Sequence, residues 1–249
     1  MLSRNYLYSD EYWQGTEVAY NIVYGGVHLP WEWKTDFRLR NVIYPYYLAL
    51  PMWLAKLVGI DTPLVVRLAP YAAHSAIAVA SDYYFYKVTK KLMGIQVARV
   101  TFLYYFTNQF FNSFMIRCFS NSVEAMLHLL VFNYYLEITK KFDRNLVMVA
   151  FWLSIALGIR NTSIIAWVPL LIIKMIVKGA YLKFIYAGFL VALPAIAIVV
   201  ALDSIYYGGL TFTAWNFFVV NVLQNKSADF GVHPLWYYFT DALPEAFEN

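Results

Sequence analysis

The sequence lacks most of the features on which soluble enzymes and metal-binding proteins depend. Charged residues make up only 14% of the 249 residues, and cysteine occurs once, at Cys118. One cysteine excludes an internal disulfide and leaves no cysteine pair for a metal site. The sequence also contains no Gly-rich phosphate loop, no nucleophile elbow and no His-Glu-x-x-His motif. These absences exclude the common soluble-enzyme templates.

Apolar residues are what the chain has in excess. The sequence is 61% hydrophobic and 20% aromatic, and its mean hydropathy is +0.52. A soluble domain usually contains about 45 to 50% apolar residues. The net charge of +4 comes from short basic clusters between apolar runs, an arrangement typical of cytoplasmic loops and not of a nucleic-acid interface. We therefore predict an all-α polytopic membrane protein without a nucleic-acid partner.

Apolar runs and breaks divide the chain into three regions. Residues 1–62 form a predicted non-cytoplasmic loop, 63–203 a bundle of about six spans, and 204–249 a non-cytoplasmic tail. Within the first region, residues 42–59 are apolar but contain two prolines and a lysine, which favours an interfacial or re-entrant segment. The six predicted spans are short for a full crossing, which tilting accommodates: Val65 to Tyr86, Val97 to Ile116, Val123 to Thr139, Leu146 to Ile159, Thr162 to Val177 and Phe184 to Leu202.

Basic residues occupy every second connection between these spans. Such connections normally face the cytoplasm. Counting from them, the acidic start of the chain, two arginine-containing turns and the tail after Asp203 all lie on the opposite face. The basic connections contain Lys87, Lys90 and Lys91, then Lys140, Lys141 and Arg144, then Lys174, Lys178 and Lys183.

The acidic start, residues 9–17, concentrates polar groups in a chain that has few. Read as a helix capped by Ser9, it places Asp10, Gln14, Glu17 and Asn21 on one face. Acidic residues are also common at helix starts, where they complement the helix dipole, so the pattern alone does not indicate a site. The same non-cytoplasmic face carries two arginines, however. Together these groups could bind an anionic lipid headgroup and deprotonate a neighbouring hydroxyl; the arginines are Arg117 and Arg160.

The tail carries a second polar group of residues. Asn221, Gln224 and Asn225 share one face of a predicted helix. Amides beside aromatic rings are typical of sugar-binding sites, although a solvated helix cap has the same composition. His233 precedes Pro234, which favours a turn residue over a catalytic base.

Several of these stretches resemble the family 22 glycosyltransferases. The run Asp10-Glu11-Tyr12-Trp13-Gln14 with Glu17, followed by Trp31-Glu32-Trp33, Arg38 to Arg40 and Tyr44-Pro45, is similar to the first lumenal loop of that family. The turns Arg117 to Glu124 and Arg160-Asn161-Thr162 are similar to its arginine-containing lumenal turns. The tail stretches Phe217 to Asn225 and Gly231 to Pro234 look most like the members that add the third mannose of the glycosylphosphatidylinositol (GPI) anchor.

This resemblance implies a GT-C-type helical bundle in the endoplasmic reticulum membrane, with its active face in the lumen. It implies an inverting mannosyltransferase that takes mannose from dolichyl-phosphate mannose and passes it to a glycolipid acceptor, forming an α-1,2 linkage. Neither a metal nor a cofactor is expected, because the activated sugar arrives on a lipid.

The resemblance also implies roles for individual residues. Asp10 is the expected base, and Glu11 is either the alternative base or a partner that orients Asp10. Arg117 and Arg160 are expected to contact the donor phosphate, since a guanidinium offers paired donors to its oxygens. The remaining residues expected to bind substrate are Gln14, Glu17, Arg38, Arg40, Asn221, Gln224 and His233.

The chain departs from the family pattern in ways that leave other interpretations open. Family members have a span before the acidic loop, further spans after the tail and a His-Lys-Glu-x-Arg-Phe-type motif, so we expect a chain incomplete at both ends. Asn161 replaces the proline of a usual Arg-Pro pair. The alternatives are an N-glycan mannosyltransferase of the same family, a non-catalytic fragment, and a transporter or scramblase. A transporter or scramblase would have many polar residues deep within its spans. The sequence shows few such residues: His74, Asp82, Asn108, Gln109 and His128.

Overall fold

The computed structural model describes residues 9–234 and 236–244, and within these ranges the chain is helical, without β-strands. The helices have these bounds: α1 Glu17–Tyr24, α2 Ile43–Val58, α3 Pro63–Thr107, α4 Gln109–Met115, α5 Ser120–Tyr135, α6 Arg144–Ile159, α7 Ser163–Lys178, α8 Tyr181–Ala187, α9 Leu193–Tyr207 and α10 Thr213–Phe218. Turns of π-helix precede α1 at Tyr12–Thr16, join α8 to α9 at Gly188–Ala192, extend α10 at Val219–Leu223 and recur at Tyr238–Ala242. Short 3-10 turns lie at Trp31–Trp33 and Lys226–Phe230.

Helix α3 is a hairpin of two helices. Gly94 has a φ of 83°, a conformation that glycine adopts without steric cost, and it interrupts the helix there. On either side of it, the rings of Phe85 and Tyr105 stack with centroids 4.3 Å apart. The two arms therefore run antiparallel and correspond to the first two predicted spans. The second arm ends at Thr107, earlier than predicted, because Asn108 leaves the helical region and caps α4 with its side chain.

Within the described residues, length and apolarity identify two helical stretches that can cross a membrane: Pro63–Thr107, which is the α3 hairpin, and the continuous Tyr181–Tyr207. Between them, α5, α6 and α7 coincide with the other predicted spans, and each has 16 residues. A helix of that length measures about 24 Å, which is less than the hydrocarbon core of a typical bilayer. The structure thus confirms an all-helical chain with candidate membrane spans.

Helix α5 lies at the centre of the bundle, between α3 and α6, and α2 packs between α1 and α3. One apolar cluster joins Leu48 of α2 to Val123 and Leu127 of α5. A second cluster surrounds the buried Trp167 of α7. The first halves of α2 and α5 are therefore held in one core, onto which the acidic segment docks.

The acidic segment is fixed to this core by packing and by charge. Gly15 lies so close to α2 that a Cβ atom there would be 3.1 Å from the side chains of Leu48 and Tyr44. Beside it, the Glu11 carboxylate is fully buried, and its Oε1 lies 2.7 Å from Nη1 of Arg117 in the turn before α5. The ion pair joins two segments that are 106 residues apart in the sequence.

We expect Glu11→Gln to destabilise the protein strongly, because Arg117 would keep its charge in a buried site. Removing one partner of a buried ion pair typically costs about 3–5 kcal/mol. Glu137→Gln is the matched control, since Glu137 pairs with Lys91 at 2.6 Å but is 52% exposed. Exposed pairs contribute about 0–1 kcal/mol. Thermal unfolding in detergent should separate the two variants, and equal melting temperatures would contradict the importance of the Glu11 pair.

Candidate active site

A π-turn divides the polar stripe that the sequence predicts. The backbone N–H of Glu17 donates to the carbonyl of Tyr12, five residues earlier, so one extra residue is inserted into the turn. The insertion changes the direction of every side chain after it. As a result, Asp10 and Gln14 face one cavity while Glu17 faces another. The prediction of one continuous stripe is wrong, because it assumed a regular α-helix.

The cavity beside Asp10, which we call the Asp10 cavity, has a volume of about 620 Å³. Its walls come from three parts of the chain: the acidic segment, the loop before α2 and the π-turn that extends α10. Four of its residues carry aromatic rings or an imidazole. The lining residues are Asp10, Trp13, Gln14, His28, Pro30, Trp31, Glu32, Arg40, Phe217 and Asn221.

Two carboxylates line this cavity, Asp10 and Glu32, and Glu32 is paired with Arg40. Asp10 is exposed, and its Oδ2 accepts a hydrogen bond of 2.8 Å from Nε2 of Gln14. Among the residues that the structure describes, Asp10 forms no salt bridge. Glu11, the alternative base, is buried against Arg117 instead. The geometry therefore favours Asp10 over Glu11.

Arg117 also lies away from the cavity. Its side chain is 12% exposed and its guanidinium is paired with Glu11, so the structure does not bring it to the place where we expected a phosphate. A buried carboxylate needs a compensating charge, and Arg117 supplies it.

Arg40 and Arg160 are the arginines that the structure brings together. Both line a narrow cleft of about 30 Å³ next to the Asp10 cavity. Arg40 donates two hydrogen bonds to the Glu32 carboxylate, at 3.0 and 2.8 Å. Arg160 lies 2.8 Å from Glu124 and donates to the side-chain oxygen of Asn121 at 2.6 Å. Each guanidinium is thus oriented by a carboxylate.

The charged groups around Arg160 are close enough to change the pKa of its guanidinium. Burial lowers the pKa of the Arg160 guanidinium, and Arg40 lowers it further, whereas Glu124 and Asp10 raise it. Arg40 therefore lies close enough to Arg160 for its charge to act on that guanidinium.

An apolar groove begins where the cleft ends. It has a volume of about 500 Å³ and lies between α6, α7, α9 and α10, with Ile165, Ile196 and Val199 among its walls. Phe217 lines the Asp10 cavity, the cleft and the groove, so the three spaces lie next to one another. Sequence reasoning missed this groove because its residues look like ordinary lipid-facing positions of separate spans.

The other predicted residues have varied positions. Arg38 connects the loop before α2 to the segment before α10. It donates hydrogen bonds to the Thr35 carbonyl at 2.7 Å and to the Thr211 hydroxyl at 3.2 Å. Asn221 lines the Asp10 cavity, and its role as a substrate-binding amide stays a prediction. Gln224 and His233 are exposed, and the imidazole of His233 stacks on the ring of Tyr237 at 3.9 Å. No three His, Cys, Asp or Glu side chains in residues 9–234 and 236–244 are grouped to hold a metal ion.

Sequence reasoning also did not show that aromatic side chains line the Asp10 cavity together. Trp13 and Trp31 were visible as part of the family-like stretches, but nothing in their spacing shows that they face one space. The structure places them there with His28 and Phe217. Aromatic faces next to amides and a carboxylate are suited to a sugar ring, because the apolar face of a sugar packs on an aromatic ring while its hydroxyls bond to polar groups.

Comparison with known proteins shows which family the chain resembles. The sequence model of the Alg9-like mannosyltransferase family matches residues 1–248. GPI mannosyltransferase 3 of Yarrowia lipolytica is 30% identical over 98% of this chain and 48% of its own length. GPI alpha-1,2-mannosyltransferase 3 of Bos taurus is 32% identical over 94% of this chain and 43% of its own length. GPI mannosyltransferase 3 of Candida albicans is 32% identical over 95% of this chain and 48% of its own length.

The chain thus spans about half the length of the curated relatives that it matches. No solved structure matches it. The family match nevertheless extends over nearly every residue, including the acidic segment, both arginine turns and the tail. The chain belongs to the Alg9-like mannosyltransferase family.

Proposed function

We propose that this chain carries the catalytic carboxylate of a mannosyltransferase that moves mannose from dolichyl-phosphate mannose to a GPI-anchor precursor. The names of its relatives support the acceptor and the third, α-1,2-linked mannose as the product. One observation carries the proposal: the exposed Asp10 carboxylate lines a cavity that adjoins a cleft with two arginines, and the cleft in turn adjoins an apolar groove. A lipid-linked sugar consists of a sugar, a phosphate and a hydrocarbon chain in that order, so its parts would occupy the cavity, the cleft and the groove in turn.

In the proposed reaction, a hydroxyl of the acceptor attacks the anomeric carbon of the mannose. Asp10 accepts the proton of that hydroxyl, and the bond between the anomeric carbon and the phosphate oxygen breaks. Dolichyl phosphate leaves as an anion that needs no strong general acid. Attack from the opposite face inverts the configuration, so a β-linked donor gives an α-linked product.

Arg40 and Arg160 stabilise the departing phosphate in this proposal. Their guanidinium groups line one cleft, and each is held in place by a glutamate, which reduces the reorganisation required as charge develops. Glu11 and Arg117 have a different role: their buried pair fixes the segment that carries Asp10. Gln14 orients the Asp10 carboxylate, and Asn221 contacts a sugar hydroxyl.

The apolar groove is the proposed site of the dolichyl chain. Its walls on α6, α7, α9 and α10 are almost entirely hydrocarbon, and the groove begins at the cleft where the phosphate would bind. A polyprenyl chain can pack its hydrocarbon against these helices while its phosphate stays beside the two arginines. No soluble nucleotide site is required.

We further propose a GT-C-type arrangement in the endoplasmic reticulum membrane, with the Asp10 cavity on the lumenal side. The hairpin of α3 supports this orientation, because its turn at Gly94 adjoins the lysine cluster of a cytoplasmic connection. Residues 1–62 then form a lumenal loop, 63–203 the membrane bundle and 204–249 a lumenal tail. The Asp10 cavity is built where the loop meets the tail.

Asp10→Asn should abolish most of the transfer of mannose from dolichyl-phosphate mannose to a dimannosyl GPI precursor. Loss of a general base typically lowers the rate about 10²–10⁴-fold. Glu137→Gln, a change on the opposite side of the bundle, serves as the control and should keep wild-type turnover. If Asp10→Asn retained wild-type kcat at equal protein levels, Asp10 would not be the base. If the wild type transferred mannose only to an N-glycan precursor, the proposal of a GPI-anchor precursor as the acceptor would be wrong.

Filling the groove should weaken donor binding specifically. Ile196 lines the groove, whereas Ile198 lies on the same helix and is 61% exposed on the outer surface. We expect Ile196→Trp to raise the KM for dolichyl-phosphate mannose about tenfold, which corresponds to the overpacking of one side chain. Ile198→Trp should leave that KM unchanged. An equal effect of both variants, or an unchanged donor KM with Ile196→Trp, would exclude this groove as the lipid site.

A further inference from the structure

A buried carboxylate at the end of α9 joins two walls of the Asp10 cavity. Asp203 is 1% exposed and lies in the last turns of α9, yet it accepts three hydrogen bonds from distant segments. Its Oδ1 accepts from the backbone N–H of Val42 at 3.0 Å. Its Oδ2 accepts from the Asn41 amide at 2.8 Å and from the Thr213 hydroxyl at 2.9 Å. The donors flank the cavity, but Asp203 itself does not line it.

The first two donors determine the position of Arg40. Asn41 and Val42 follow Arg40 directly, so Asp203 fixes the backbone on the C-terminal side of that arginine. The carbonyl of Arg40 itself accepts a hydrogen bond of 2.8 Å from the hydroxyl of Tyr207, one helical turn after Asp203. The end of α9 therefore holds the Arg40 backbone at two neighbouring points.

The third donor determines the position of the opposite wall. Thr213 is the first residue of α10, and the same helical segment carries Phe217 and Asn221 into the Asp10 cavity. Because Asn41 and Thr213 share the Oδ2 atom, one carboxylate sets the separation between the two walls. An additional contact joins the walls directly, since the Asn216 amide donates to the Arg38 carbonyl at 3.2 Å.

Burial excludes a direct chemical role for Asp203. The three hydrogen bonds hold the carboxylate in one orientation, and the side chain is closed off from any substrate. A buried carboxylate is costly to maintain in a membrane protein, which makes it a marker of function. Apolar side chains would hold the helix ends together with less cost, but they would not fix the directions of an amide, an N–H group and a hydroxyl at once.

We propose that Asp203 is a positioning residue that sets the width of the Asp10 cavity by tying the Arg40 loop to the start of α10. This inference rests on the proposed mannosyl transfer for its kinetic consequence, but not for the contact itself. Disturbing the tie should therefore displace both Arg40 and the wall that carries Asn221, and should lower kcat as well as raise the acceptor KM.

The first experiment tests the contact without any activity measurement. In Asp203→Asn, the amide nitrogen that replaces Oδ2 would face the Asn41 amide, so two donors would oppose each other. Hydrogen exchange of the purified protein in detergent should become faster in residues 38–46 and 211–224 together. Unchanged exchange in both segments would overturn the proposed tie. Faster exchange throughout the protein would indicate general unfolding and would also overturn it.

A reciprocal exchange supplies the sharpest test. Asn41→Asp alone would place two carboxylates within hydrogen-bonding distance, so it should also accelerate exchange. In the double variant Asn41→Asp with Asp203→Asn, the amide at position 203 can donate to the new carboxylate, and that carboxylate can still accept from the N–H of Ile43, as Asn41 does now at 2.8 Å. We expect the double variant to restore protection in both segments. A double variant worse than either single one would contradict the assigned hydrogen bond.

Kinetic measurements separate a positioning role of Asp203 from an effect on protein stability alone. Asp203→Asn should raise the acceptor KM about tenfold, as expected for the loss of one buried hydrogen bond, and should also lower kcat, because Arg40 stabilises the departing phosphate in the proposed reaction. The matched control is Asp143→Asn, because Asp143 caps α6 through the Leu146 N–H at 3.0 Å, far from the cavity. That variant should lose stability but keep the wild-type acceptor KM.

The possible failures are distinguishable. If exchange and rescue follow the expectation while acceptor KM stays at the wild-type value, Asp203 is structural and the positioning role is overturned. If the wild type transfers no mannose, the proposed function is wrong, whereas the exchange measurements still decide whether Asp203 ties the two segments. If the acceptor KM rises equally in Asp143→Asn, stability accounts for the effect and the positioning role is likewise overturned.

Discussion

The ion pair between Glu11 and Arg117 is the interaction on which the arrangement of this chain depends. It lies in a buried site, so each charge would be costly without the other. Because the pair holds the acidic segment against the turn before α5, the neighbouring Asp10 has to project to the outside of that contact. Two adjacent carboxylates thus acquire opposite roles: one is neutralised within the core, and the other is available at a cavity.

Similar pairing organises the other arginines of this face. Arg40 is held by Glu32 and Arg160 by Glu124, and both line one cleft. Each glutamate offsets part of the positive charge while it fixes the direction of a guanidinium. A phosphate that entered the cleft would meet donors already in place, which reduces the entropy lost on binding. The polar face therefore combines preorganised cations with a carboxylate that has no salt bridge in the described part of the chain, the combination that transfer of a sugar from a phosphate requires.

Much of the helical architecture was predictable. Apolar runs and alternating basic clusters gave six segments that coincide with the arms of α3 and with α5, α6, α7 and α8–α9. The family-like stretches around Asp10 and Arg160 were visible as well, because their residue types are unusual in an apolar chain. Two details could not be predicted: the early end of the second arm of α3 at Asn108, and the π-turn that places Glu17 at a different cavity from Asp10. Both are local departures from regular helix, which periodicity assumes.

The sequence by itself determined that this chain is helical and apolar, and which charged residues occur between its apolar runs, because hydrophobicity and helix period are properties of short segments. Only the tertiary structure decided which arginine meets which carboxylate. Arg117 and Arg160 look alike in the sequence, yet one is buried with Glu11 and the other lines the cleft. The tie from Asp203 to Asn41 and Thr213 was equally invisible, since it joins groups 162 and 10 residues apart. Such contacts depend on how whole helices pack, and no local pattern encodes that packing.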